Sequence, residues 1–521
     1  MNPTASSASA RSKLPLALWF VVVAGLIWAE QSLPHWSGSQ WRAGSHADGP
    51  FHFSCELSRL QPGAFLNDLA VQSNQSLGAY ETSYRGAAGL AQATGWSLLA
   101  TNLVLCWLGN FYYLAGVMFL LCRLKLRSVW CALGTVLAAQ PFVLIGMSSG
   151  VVHSLLIPRE FWLGPLPWLV AWFVLGRRES WRLLGFYAML GAIYGLTYPL
   201  WAVLFGLAFG LADAWRLWRG KRYADFVWLA GGGFLCAVII ALPALAIART
   251  MAGGESAVLD YNQITRSVYW TKGFRRLVIF AALGWVALRF LRQQPAAPTE
   301  VVLRLGALLG ASLGVCLVYE PFQRLLPTLS LLYLGRLSLV AYLVSALAVA
   351  GWLHYGWPSW QCRGRALAVL GLVVFFLDPV KHVIRDRREH APPFQPDFVR
   401  ICRAAKQAMS ADRLALVPPD AGCHYFRVYA ERGLWINPKD TGVLSRTRAL
   451  YSEAKQRLQL YDAFYAADTP LDRRENLLQQ FRTNGVTHVV TQTNDAWAAS
   501  LSWPVVRSEG RWQLRTEAQA P

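Results

Sequence analysis

Charge is scarce in this sequence. Only 15% of its 521 residues are Asp, Glu, Lys or Arg, against ~25% in a soluble domain. Acids are the scarcer sign: 29 against 49 basic residues, for a formal net charge of +20. An ordinary soluble enzyme is therefore a poor fit. A nucleic-acid binder fits no better, because it gathers its basic residues on one soluble face. Here, up to about residue 380, the bases sit in short clusters between apolar runs. That placement is topogenic and also suits partners with anionic phosphates.

Several motifs are missing as well. The nine cysteines form no CxxC pair and no zinc spacing. There is no Walker A loop, no Gly-rich dinucleotide fingerprint, no HExxH and no nucleophile elbow, so nucleotide-driven transport and nucleotide-cofactor chemistry have no support. No internal repeat and no collagen-like or Gln-rich tract is present.

What is present is apolar surface. Hydrophobic residues make up 55% of the chain, mean hydropathy is +0.31, and there are 24 tryptophans, a residue that collects at membrane–water boundaries. Apolar runs long enough to span a bilayer recur about eleven times. They are Leu14–Ala29, Trp96–Cys122, Ser128–Gly146, Phe161–Gly176, Leu183–Thr197, Pro199–Trp215, Phe226–Ile247, Leu277–Leu291, Val301–Tyr319, Thr328–Trp352 and Ala366–Leu377. The first follows Arg11 and Lys13 like a signal peptide, but it lacks a small-x-small cleavage site and reads as a retained anchor. Leu183 to Trp215 is too long for one span, and Tyr198-Pro199 is the natural break.

With that break, the charges alternate. Arg11/Lys13, Arg123/Lys125/Arg127, Arg177/Arg178/Arg182, Arg216/Arg219/Lys221/Arg222, Arg292 and Arg363/Arg365 fall on one side, the cytoplasm by the positive-inside rule. The other side receives the loop 30–95, a second loop from Ala248 to Arg276, and the C-terminal segment. Glu56, Asp68, Glu81, Glu160, Glu255, Asp260 and Glu320 follow the same asymmetry. The expected architecture is a mainly α-helical polytopic membrane protein, 1–380, with a small extracytoplasmic α/β domain, 381–521.

Candidate functional residues lie on that outer side. Asp68 sits in the first loop, where a carboxylate can act as a general base or bind a metal, or else cap a helix or stand as a solvated loop acid. A weakly amphipathic stretch follows it to Tyr84-Arg85, and Arg85 is a substrate-binding candidate. His153, Arg159 and Glu160 close a short connection shaped by Gly150 and Pro158. There Arg can clamp phosphate and His can exchange protons, or Arg159 and Glu160 form a local surface arrangement. Arg336 is expected inside an apolar helix, with Glu320 and Arg324 before it. It faces a cavity or a ligand, or snorkels to pair with Glu320. Tyr194, Thr197 and Tyr198 could line the same cavity, or simply pack. Lys272, Arg275 and Arg276 precede a helix on the outer side, where headgroup phosphate is the simplest partner.

From Pro392 the character changes. Phe398–Met409, Tyr451–Tyr465 and Leu471–Thr483 read as helices, Leu414–Val417 and Val486–Val490 as strands, and Trp503–Val506 with Arg511–Arg515 as a closing hairpin. Phe426-Arg427 and Arg432 to Asp440 read as structural turns. Cys402 and Cys423 share this domain, and a disulfide between them is open in an oxidising compartment.

In the order of its parts the chain resembles the GT-C class of membrane glycosyltransferases: a first helix, a large loop carrying an acid at Asp68, a multi-helix region, and an external α/β domain. Ile157-Pro158-Arg159-Glu160, Tyr198-Pro199-Leu200 and Phe426-Arg427-Val428 with Arg432 and Lys439 look like an uncharacterised group of bacterial multi-spanning proteins in that class. Tyr198 stands where a His is common, and Asn67-Asp68 where two acids are often seen. The resemblance implies a polyprenyl-phosphate-linked sugar donor, a glycan or lipid acceptor, and transfer at the outer face of the bacterial inner membrane. Asp68 would be base or ligand of a divalent metal, and Arg159, Lys272 and Arg336 would bind phosphate. The alternatives are a transporter or flippase for lipid-linked or anionic solutes, and a non-catalytic envelope assembly factor. The enzyme is expected to bring Asp68, Arg159 and Arg336 to one cavity, the assembly factor to scatter them.

Overall fold

The computed structural model describes residues 21–22, 24–25, 49–77, 80–139, 143–144, 147–148, 161–176, 180–195, 197–251, 255–325, 334–372, 396–419, 425–440, 444 and 448–517; in 76–77, 143–144, 147–148, 242–244, 246–251, 255–272, 320–325, 439 and 448–449 it gives the backbone alone. The first loop is helical: α1 (Gly49–Leu60), α2 (Leu69–Leu77) and α3 (Glu81–Thr94). The apolar region follows as α4 (Leu98–Arg123), α5 (Ser128–Ala139), a two-residue hairpin β1–β2 (Val143–Leu144, Met147–Ser148), α6 (Leu166–Leu175), α7 (Ser180–Gly195), α8 (Pro199–Arg219), α9 (Phe226–Met251), α10 (Glu255–Gln293), α11 (Thr299–Leu325), a 3-10 turn (Leu334–Leu337), α12 (Ser338–Gly356) and a helix over 362–372 (α13). Among the described residues, five helices are long and apolar enough to cross a membrane.

The chain's local signals explain these boundaries. Ser97 caps α4, its hydroxyl accepting from the Ala100 amide at 3.2 Å. Pro199 opens α8, where its missing N–H costs nothing, and Tyr198 before it takes an extended φ of −151°. The break expected at Tyr198-Pro199 is therefore present. At the opposite end of the bundle, Arg304 of α11 donates to the carbonyls of Val174 at 3.1 Å and Gly176 at 2.7 Å, satisfying the open C-terminus of α6. Of those five helices the most buried is α12, packed against α5, α10 and α11. α10 approaches it so closely that a Cβ on Gly284 would lie 2.8 Å from the Ser345 Cβ.

Three expectations for this region change. The second loop is largely helix, because α10 begins at Glu255 and runs unbroken for 39 residues. Lys272, Arg275 and Arg276 thus lie within a helix rather than before one. Glu320 and Arg324 belong to the last turns of α11. Arg336 sits on the 3-10 turn before α12, not two turns inside a helix. The first two share a reason: polar residues on a helix lower its hydropathy without ending it.

The C-terminal segment forms α14 (Pro396–Ala408), β3 (Leu414–Leu416), α15 (Phe426–Tyr429), β4 (Gly433–Leu434), α16 (Arg448–Tyr465), α17 (Leu471–Thr483), β5 (Val486–Gln492), β6 (Val505–Glu509) and β7 (Trp512–Thr516). Its five strands lie in the order β4-β3-β5-β7-β6, parallel across β4-β3-β5 and antiparallel from β5 through β7 to β6. One face carries α16 and α17, whose Tyr461, Phe464 and Phe481 pack with Leu414, Val486 and Val489. The other face is covered from two directions. Phe398 and Ile401 of α14 share a single hydrophobic cluster with Phe51 and Phe53 of α1, Phe65, Val71 of α2 and Tyr84 of α3. Burial of each such side chain stabilises by ~1.5–3 kcal/mol. The first loop therefore packs as part of the C-terminal domain, across the boundary expected at 380/381. The two come together although the whole apolar region lies between them in sequence.

Candidate functional site

Asp68 is fully buried at the joint between these two segments. It precedes α2, and its Oδ1 accepts from the Ala70 amide at 3.1 Å, the geometry of a helix N-cap. Arg427 of α15 grips the same carboxylate with two donors, Nε to Oδ2 at 2.8 Å and Nη2 to Oδ1 at 2.9 Å. The Leu434 amide on β4 adds a contact to Oδ2 at 3.0 Å. Arg427 also reaches Asp440 at 3.0 and 2.7 Å, so one guanidinium joins two carboxylates. Burial opposes its charge, but the two acids outweigh that and raise its pKa above the ordinary arginine value. A carboxylate offers about four lone-pair sites, and Asp68 already receives that many donors. This is the cap alternative combined with a buried ion pair, and it leaves no acceptor position for a substrate hydroxyl. Gly433 permits the approach: a Cβ there would lie 3.4 Å from that of Asp68 and 2.9 Å from Leu414 Cδ2.

A second polar cluster lies where the first loop meets the apolar helices. Arg336, buried on its 3-10 turn, donates from Nη1 to the Tyr198 hydroxyl at 2.6 Å. The Tyr198 ring stacks on Tyr80, with centroids 5.1 Å apart and planes 16° from parallel. Tyr80 opens α3 with a left-handed φ of 63°, a conformation unfavourable for a residue with a side chain. His52 meets Tyr80 edge-on at 5.5 Å, and its Nδ1 lies 2.7 Å from the Tyr84 hydroxyl. Glu81, the next residue, accepts from Arg59 at 2.6 Å and Arg85 at 2.7 Å. Burial works against its ionisation, but those two arginines hold its carboxyl below the usual carboxylate range. Trp162 binds the Ser83 hydroxyl through Nε1 at 3.0 Å, tying α3 to the chain that enters α6. Arg85 itself is exposed and serves Glu81.

Glu56 of α1 forms a third feature. It is fully buried, and its Oε2 accepts from Asn102 of α4 at 2.6 Å. Oε1 has no hydrogen-bond partner among the described residues. Burial pushes this carboxyl up to about 8 despite the Asn102 contact, so it is protonated at neutral pH.

The residues expected to form one site divide accordingly. Arg336 joins Tyr198, and Asp68 belongs to the separate Arg427 cluster. Thr197 spends its hydroxyl on the Ile193 carbonyl, and the buried Tyr194 hydroxyl finds no partner among the described residues. His153, Arg159, Glu160 and Cys423 lie outside the described residues, and the side chains of Lys272, Glu320 and Arg324 are not described. Among the described residues no group of three His, Cys, Asp or Glu could hold a metal ion. Arg427 and Asp440, read from sequence as turn residues, take part in ion pairs whose partners are all buried. The available signal was an arginine between Phe426 and Val428, an apolar context that a surface turn does not need. No protein-family model matches the chain, and no curated protein matches it.

Proposed function

We propose that this chain is a membrane transferase that binds a polyprenyl-phosphate-linked sugar donor at the seam between the first loop and the apolar helices. One observation carries the reading: a buried arginine, Arg336, ends in a Tyr198–Tyr80 stack that spans the two parts. Charge held at that depth beside apolar helices belongs with a ligand or a cavity. A fixed guanidinium is suited to a departing lipid phosphate, and flat tyrosine faces are suited to a sugar ring. Asp68 supports this site by anchoring the loop. Glu81, ionised and adjacent to Tyr80, takes the place of general base. Membranes containing the protein are supplied with a labelled lipid-linked sugar. Arg336→Ala is expected to lower transfer at least a hundredfold and Tyr80→Ala tenfold or more, with both variants still inserted. Full activity in Arg336→Ala would sink the reading.

A non-catalytic assembly factor remains the second reading. It is favoured by the separation of Asp68 from Arg336, since Asp68 works as a structural joint. It expects no transfer by the native chain and no accumulated sugar-lipid precursor in cells that lack it.

A further inference from the structure

A groove of about 480 Å³, open along one side, runs along α12 between α10 and α13. Phe280, Leu283, Tyr342, Val349, Trp352 and Leu367 line it. Its two hydroxyls are already spent: Tyr342 donates to the Leu137 carbonyl and Ser345 to that of Ala341. The walls therefore offer a ligand almost wholly apolar surface. From Tyr342 to Leu353 the groove follows α12 for about 16 Å, close to the ~15 Å of one leaflet's hydrocarbon.

Its mouth has a different character. Trp352 and Trp360 meet edge-on there at 5.4 Å. Gly364, which lines the groove, stands between Arg363 and Arg365. Arg363 is exposed, and Arg365 is steadied by the Trp357 carbonyl at 3.1 Å with its guanidinium 5.7 Å from the Trp357 ring. Tyr355 donates to the Leu124 carbonyl at 2.8 Å and lies 3.4 Å from that of Ala296. This brings the ends bearing Arg123, Lys125 and Arg292 to the same level. Glu300, the acid beyond that turn, is paired with Arg304 at 2.8 Å. The rim is thus positive and aromatic, and the groove behind it apolar.

We propose that the groove holds the acyl chain of an anionic phospholipid from the leaflet on the arginine side, with its phosphate seated at Arg363 and Arg365. The proposal rests on the membrane part of the functional reading and is independent of the transfer reaction. The occupant is a bulk lipid and not the donor, because Arg336 lies before the first residue of α12 and the arginine rim beyond its last.

The test uses the full chain, purified in detergent, mixed with equal amounts of phosphatidylglycerol and phosphatidylcholine and examined by native mass spectrometry. Preferential retention of phosphatidylglycerol is expected. Each arginine near a lipid surface contributes about fivefold, so Arg363→Gln with Arg365→Gln should remove most of the preference. Ala368→Trp fills the groove and should abolish retention, whereas Leu370→Trp, outside the lining, should leave it intact. Equal melting temperatures of the variants show that they fold. Equal retention of both lipids by the native chain, or unchanged retention in Ala368→Trp, overturns the proposal. An alkaline carbonate wash separates the failures. A chain that washes out of membranes defeats the membrane reading and this site together, and one that stays yet keeps no phosphatidylglycerol defeats this site alone.

Discussion

Asp68 and Arg427 are bonded across 359 positions of sequence, and both are buried. Removing one partner of a buried pair leaves the other charge uncompensated, at a cost of about 3–5 kcal/mol. Arg427→Met, which strands two buried carboxylates, should therefore lower the melting temperature of the purified chain markedly, and Asp68→Asn, which leaves Arg427 its Asp440 partner, by less. The double variant should lose less than the sum; strict additivity would show that the pair is not coupled. Glu56 carries a prediction of opposite sign. Its folded pKa, about 8, lies above the ordinary carboxylate value, so the native state binds the extra proton. Stability is then fully present below the unfolded pKa and falls as pH rises through the window up to about 8. Glu56→Gln should flatten that fall and stabilise the chain at pH 8 by ~4 kcal/mol. Thermal melts from pH 5 to 8.5 that decline identically in both proteins would rule this out. Only one of these roles was legible locally. Asp68 as a cap follows from its place before α2, but its partner lies too far along the chain for any periodicity to reveal.

Among the elements, the sequence was most informative where a chemical stop is sharp. Leu471–Thr483 is found with the expected bounds because Pro470 precedes it and Gly485, at φ 87°, follows. The Tyr198-Pro199 break is equally local. α10 was misread because only its second half is apolar, and its hydrogen-bond ladder does not stop where hydropathy does. Its contact with α12 depends on one missing side chain. Gly284→Val should force the helices apart, since even a Cβ would collide with Ser345 Oγ in the present packing. Overpacking of this kind costs about 1–3 kcal/mol. Ser345→Gly in the same chain should recover most of the loss, and absence of rescue in thermal melts would show that the clash lies elsewhere.

For the whole molecule, the apolar helices and the α/β domain were readable from composition, but the division between them was not. A boundary drawn along the chain misses a core built from both sides of the membrane-type region. The segment 396–521 expressed alone should be poorly soluble and lack sharp amide dispersion. Joining 49–95 to it through a flexible linker should give a cooperative domain. A well-folded isolated 396–521 would mean that the first-loop helices only decorate its surface.

The same closure has a consequence in time. Asp68 leaves the ribosome 359 residues before Arg427, a delay of roughly 20–70 s at ~5–20 residues per second. Throughout that interval α1 to α3 hold an apolar face and an uncompensated carboxylate with nothing to cover them. Any chain that stops before Arg427 keeps that surface uncovered, the very surface that completes the finished protein.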